Sequence, residues 1–120
     1  MSNCLFCKIV SGEALGDIVF ESDSVLAFND INPVAPHHVL IIPKKHISTL
    51  NDIDEKDFNV MGKIHLIANK IASERGIAES GFRTVFNCNK DAGQAVFHIH
   101  MHLVGGRKLN WPPGLSLIHI

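Results

Sequence analysis

The sequence predicts an α+β domain: an antiparallel sheet of about five strands, one long helix and a short N-terminal helix. Three observations predict it. The chain has 120 residues, the size of one domain, and its 46% hydrophobic content supplies a core. Short β-branched and aromatic runs recur along it, each bounded by turn residues. A single long stretch carries apolar residues at helical spacing.

The elements follow in chain order. Ser2 or Asn3 caps a short helix over 4–10, with Gly12 just past its end. DIVFE (17–21) and VLAFN (25–29) flank Ser22, Asp23 and Ser24 as a hairpin. NPVAP (32–36) is a proline-fixed connection, and HVLIIP (38–43) reads as a strand buried on both faces. The acidic NDIDEKD stretch suits a helix N-terminus, with Asp52 or Asp54 as the cap. Phe58, Met61, Ile64, Ala68 and Ile71 then recur at helical spacing up to a stop at Gly76. Residues 82–88 and 97–104 are two more strands, joined by the loop NKDAGQA. With no internal repeat or linker, residues 1–114 make one domain and 115–120 an apolar C-terminal tail.

Composition narrows the function. The net charge is −1 with eight histidines counted neutral, which argues against a basic face for duplex nucleic acid. No apolar run has the length of a membrane span, and MSNCLFCKIV lacks the pattern of a secretory signal. Three cysteines, an odd number, suit a reducing compartment. The expectation is a cytoplasmic protein with neither membrane nor nucleic acid as partner.

VFHIHMHLVGG (96–106) carries the chemistry. His98, His100 and His102 alternate, so on a strand they share one face, roughly 6.5–7 Å apart. Phe97, Ile99, Met101 and Leu103 then face the core under the helix. Such a row serves two chemistries. Three imidazoles hold a catalytic zinc with one position open to water, or one is a nucleophile while the others position substrate and handle protons. The preceding loop (91–95) is small and contains Gly93; its N–H groups suit phosphate oxygens.

Other residues keep two readings. Asp30, ahead of Ile31-Asn32-Pro33, is a turn-forming aspartate or a carboxylate facing a diol. Cys4 and Cys7 are half of a zinc site or two small buried apolar side chains. Cys88 reads as core, Trp111 as packing, and His65 and His119 as solvent-facing.

Residues 98–104 match the pattern His-φ-His-φ-His-φ-φ at every position, and the chain resembles the histidine triad (HIT) family. FNDINPVAPHHVLIIPKKHI is similar to that family's first nucleotide-binding segment, and GGRKLNWPPG to the ending of its nucleotide-binding protein branch, which includes purine nucleoside phosphoramidases. The resemblance covers 4–114. It implies a HIT-like fold and a homodimer formed across the long helix and a sheet edge. It implies hydrolysis of purine nucleoside phosphoramidates, of the adenosine 5′-monophosphoramidate type, through a nucleotidyl-histidine, with no cofactor needed for the chemistry.

By the same resemblance His100 is the nucleophile, His102 and His38 lie beside the phosphate and leaving group, and His98 completes the triad. Asp30 is the ribose acceptor, Phe28 and Ile31 flank the base, and Asn87, Gly93 and Gln94 stand on the phosphate side. Ala95 stands where many of that branch have a hydroxyl. Cys4, Cys7, His46 and His98 match the ligands of a structural zinc. Two alternatives stay open: a dinucleoside polyphosphate hydrolase, against which the GGRKLNWPPG ending argues, and a nucleotide-binding adaptor with incidental hydrolysis.

Overall fold

A computed structural model describes residues 3–114. The expected Ser2 cap, the 115–120 tail and His119 lie outside them. The fold is the expected one: a five-stranded antiparallel sheet in the order β1-β2-β3-β5-β4. Its strands are β1 (Ile18–Glu21), β2 (Val25–Asn29), β3 (His37–Pro43), β4 (Phe82–Phe86) and β5 (Met101–Gly105). The helices are α1 (Leu5–Ser11), the long α2 (Phe58–Glu74) and a single turn, α3 (Asn89–Ala92). Among the described residues no helix is long and apolar enough to cross a membrane.

The sheet is covered on both faces, and strand alternation sorts the side chains. Val25, Ala27, Val39, Ile41, Met101 and Leu103 face α2, where Ile64, Ala68 and Ile71 complete one core. Leu26, Phe28, Leu40 and Ile42 face the other way and pack under Phe6 of α1. His102 lies opposite Leu40 and Val85, on this second face. So β3 is buried on both sides, as its unbroken apolar run predicts.

Several local expectations give way. Cys4, not Asn3, occupies the α1 N-cap, where its Sγ accepts from the Cys7 N–H at 3.4 Å. Asp54 caps a 3₁₀ turn (Glu55–Asp57) rather than α2 itself, and Asp57 takes the α2 N-cap position. The buried Asp57 carboxylate is held by Lys45 Nζ at 2.8 Å, which anchors the stretch leading to His46. Phe58 is 67% exposed and belongs to no core. Cys88 lies half-buried beyond the end of β4, and Trp111 is 79% exposed, outside both cores.

The largest difference is at the triad. Strand β5 begins at Met101, so His98 and His100 precede it. The reason is β3: Ile41 is its last residue to pair with β5. Beyond Pro43 the chain turns away, and residues 94–99 are held by it irregularly. Ile99 N–H donates to Ile47 O at 2.7 Å, and Gln94 Nε2 to Ser48 O at 2.7 Å. The alternation therefore fails before Met101, and Phe97 is exposed rather than in the core.

Candidate active site

Because the 94–100 segment is bent, the three triad imidazoles do different things. His98 is fully buried and turned away from the other two. Its Nε2–H donates to Pro43 O at 2.7 Å, which leaves the lone pair on Nδ1. That nitrogen lies 3.4 Å from Cys4 Sγ and 3.6 Å from Cys7 Sγ. His46 Nδ1 lies 3.3 Å from Cys7 Sγ. The four ligand atoms of Cys4, Cys7, His46 and His98 fall within 4.8 Å of one another, a group able to hold a metal ion.

The dimensions suit a particular ion. A tetrahedron with Zn–S near 2.3 Å and Zn–N near 2.0–2.1 Å has S···N edges of about 3.5 Å. The three sulfur–nitrogen separations lie at 3.3 to 3.6 Å. The alternative of one catalytic zinc under all three triad rings fails, because His98 faces the thiols while His100 and His102 line a pocket that His98 does not.

His100 Nδ1–H donates to the His98 carbonyl at 2.8 Å. The neutral ring then carries its lone pair on Nε2, the form a nucleophilic imidazole requires. Phe6 packs edge-on against His98, His100 and Phe28, with centroids 5.9, 5.1 and 5.4 Å away. Sequence reasoning missed Phe6; the signal was an aromatic residue between two cysteines at the start of a short helix.

His102 and His38 form a pair. Val34 N–H donates to His38 Nδ1 at 3.1 Å, so a neutral His38 carries its proton on Nε2. That Nε2 lies 2.9 Å from His102 Nδ1 and 3.3 Å from Asp30 Oδ2. His102 Nδ1 accepts, so its own proton sits on Nε2. Burial holds His102 down to about 4, with His100 and His38 adding to the effect and Asp30 opposing it. Burial also lowers His38, against the pull of Asp30. Both rings are neutral at pH 7.

A pocket of about 550 Å3 joins these groups. Ile9, Phe28, Leu40 and the rim residue Ile31 make its apolar walls; Asp30, His38, His100 and His102 make its polar side. Its size and mixed lining are those of a small-molecule site. Asp30 has the turn role: Oδ1 accepts from Asn32 N–H at 2.8 Å, while Oδ2 faces His38 at 3.3 Å. Ala95 lines the same pocket. Asn87 does not; it lines a neighbouring hollow of about 620 Å3, with Arg83 and Arg107, on the far side of the histidine pair.

Gly93 and Gln94 are placed otherwise than a phosphate loop needs. Their N–H groups close α3, donating to Lys90 O and Asn89 O at 3.0 and 3.1 Å. Gly93 takes φ 84° there, a left-handed end that favours glycine. The buried Gln94 side chain accepts from Asn89 N–H and donates to Ser48 O and Val96 O, so it braces the loop from within.

Comparison with known proteins agrees with this geometry. The chain is 49% identical to the purine nucleoside phosphoramidase of Escherichia coli strain K12 over 105 residues, 88% of each chain. It is 44% identical to adenylylsulfatase HINT1 of Arabidopsis thaliana, covering 94% of this chain and 78% of that one. A HIT family hydrolase from Legionella pneumophila Philadelphia 1 superposes with a TM-score of 0.92 at 54% identity, covering 93% of this chain and 100% of that one. A histidine triad protein from Clostridium difficile superposes with a TM-score of 0.88 at 49% identity, covering 92% and 96%. Residues 11–109 match the HIT domain, and the chain belongs to that family.

Proposed function

We propose that this protein hydrolyses purine nucleoside phosphoramidates, with His100 as the nucleophile. One observation carries the reading: the His98 carbonyl holds the His100 Nδ1–H, which puts the lone pair of the neutral ring on Nε2, and that ring lines a largely apolar pocket. The E. coli relative, named for this activity, supports it.

In this reading Phe28 and Ile31 flank the purine, and Asp30 Oδ2 accepts from the ribose hydroxyls. Ala95 and the His102 N–H lie toward the α-phosphate, with Gly93, Gln94 and Asn87 supporting that side from further out. His100 Nε2 bonds to phosphorus as the bond from phosphorus to the amine nitrogen breaks. The His102 Nε2–H donates to a phosphate oxygen as negative charge builds there. The departing nitrogen takes its proton from water in the open pocket, while the His38 Nε2–H holds the His102 ring through Nδ1. Water then cleaves the nucleotidyl-histidine, releasing the nucleoside monophosphate and restoring His100.

Zinc fits Cys4, Cys7, His46 and His98, where it would cross-link α1 to the triad segment and take no part in the reaction. The odd number of cysteines, three, supports a reducing cytoplasm as the protein's compartment. Purine nucleoside phosphoramidate is the partner, and a second copy of the chain completes the assembly. Strand β4 is a sheet edge, and Phe58 and Leu66 are exposed on α2. An open edge beside exposed apolar side chains suits a two-fold interface. Light scattering at micromolar concentration should give twice the 13.2 kDa chain mass.

The deciding experiment is steady-state hydrolysis of adenosine 5′-monophosphoramidate beside a dinucleoside polyphosphate. Preference for the phosphoramidate is expected. Preference for the polyphosphate, or binding without turnover, would replace this reading with one of its two rivals.

A further inference from the structure

Arg107 lies outside the nucleotide pocket, yet a chain of hydrogen bonds connects it to the histidine pair inside. Strand β5 ends at Gly105, opposite His37. Gly106 follows at φ 95°, and a Cβ there would meet Pro36 and His37 at 3.0 Å. A left-handed residue without a side chain is what lets the backbone pass this close. The step delivers Arg107 to the 32–36 connection. Arg107 Nε donates to Val34 O at 2.9 Å, and its Nη1 donates to Lys108 O at 3.0 Å, which fixes the guanidinium plane. Val34 in turn gives its N–H to His38 Nδ1 at 3.1 Å.

We propose that Arg107 is a positioning residue that sets the tautomers of His38 and His102 by clamping Val34. The 32–36 connection has no strand or helix to hold it, and Val34 is exposed. The Val34 N–H is the donor that forbids a proton on His38 Nδ1. With the clamp gone, Val34 rotates and the Nδ1–H form of His38 competes. In that form a lone pair on His38 Nε2 faces two other acceptors, His102 Nδ1 at 2.9 Å and Asp30 Oδ2 at 3.3 Å. The pair relieves this only by moving the His102 proton to Nδ1 or by separating the rings. Either change removes the His102 Nε2–H donor from the site. The kinetic consequence rests on the phosphoramidase reading; the tautomer itself does not.

The experiment is nitrogen-15 NMR of the histidine ring nitrogens at neutral pH, with kinetics on adenosine 5′-monophosphoramidate. In the wild type, His38 should be wholly Nε2–H. Arg107→Ala should give a mixture of His38 tautomers and lower kcat by about five- to twentyfold, with KM nearly unchanged. Arg107→Lys, which keeps a donor for Val34 O, should recover part of both. If Arg107→Ala fails to fold, Arg107→Lys and Arg107→Gln carry the comparison. A His38 that stays wholly Nε2–H in every folded variant overturns the proposal, whatever kcat does. Absence of turnover in the wild type would sink the phosphoramidase reading and leave the tautomer comparison to decide this one.

Discussion

His98 and His100 share one hydrogen bond, from the Nδ1–H of the second to the backbone carbonyl of the first, at 2.8 Å. The same residue that turns its ring to the cysteine thiols thus fixes the ring of its neighbour by its main chain. His100→Ala should lower turnover at least about a thousandfold while leaving the fold and nucleotide binding in place. Rapid quench and intact-protein mass spectrometry should find an adenylyl adduct on the wild type and none on the variant. Near-normal activity in the variant would rule out His100 as the nucleophile.

Metal removal tests the other half of that relationship. Protein purified without added metal or chelator should contain one zinc per chain by elemental analysis. Replacing Cys4 and Cys7 together by Ser should abolish it and lower the melting temperature by about 10 °C, or roughly 2–3 kcal/mol. Activity should fall less than in His100→Ala, because the carbonyl of His98 is displaced rather than lost. Full stability without zinc would return the two thiols to the role of small buried side chains.

The histidine pair makes stability depend on pH. Burial lowers His102 to about 4 and lowers His38 as well. An unfolded imidazole titrates near 6.5, so between about 4 and 6.5 the unfolded chain binds more protons than the folded one. Stability is therefore full above pH 6.5 and declines as pH falls toward 4. Asp30 opposes the trend at both rings and His100 adds to it at His102. Urea denaturation at pH 7 and pH 4.5 should differ less in His102→Asn than in the wild type. The difference should be about 1–2 kcal/mol, discounted for the ring's partial exposure. Equal pH slopes in the two proteins would contradict the shift.

Ala95 offers a gain of function. Its methyl lines the pocket beside His100 and His102, while the N–H groups of Gly93 and Gln94 are engaged in closing α3. A hydroxyl at 95 adds a donor that those groups do not duplicate. Ala95→Ser should raise kcat/KM on an adenosine phosphoramidate by about 1–2 kcal/mol, roughly 5- to 30-fold, with little change in melting temperature. A variant no faster than the wild type would mean that water already supplies the bond.

Much of this was legible in the sequence because periodicity reports burial. The apolar run of β3 and the spacing of Ile64, Ala68 and Ile71 read directly as core. The triad was legible as a pattern and not as a geometry. Alternating His with apolar residues reads as a strand, but whether a ladder forms depends on the partner chain. Beyond Pro43 that partner turns away, so the row bends and its first member leaves the pocket. Contacts made by backbone atoms were illegible for a different reason. Val34 N–H and the His98 carbonyl exist at every residue, and only the fold says which of them point at a ring. The loop's N–H groups are a like case: they suit a phosphate, yet those of Gly93 and Gln94 close α3.

The sheet order β1-β2-β3-β5-β4 has a consequence for a chain still emerging from the ribosome. Strands β1 to β3 are complete by Pro43, but the neighbour that covers the open side of β3 starts at Met101. Until then β3 presents an unpaired edge made of Val39, Leu40, Ile41 and Ile42, a template for mispairing with other nascent chains. The metal group waits equally long, since Cys4 and His98 are 94 positions apart. Synthesis must pass His98 before the thiols of Cys4 and Cys7 find their partner, so neither half of the site can mature on a chain that stops short of it.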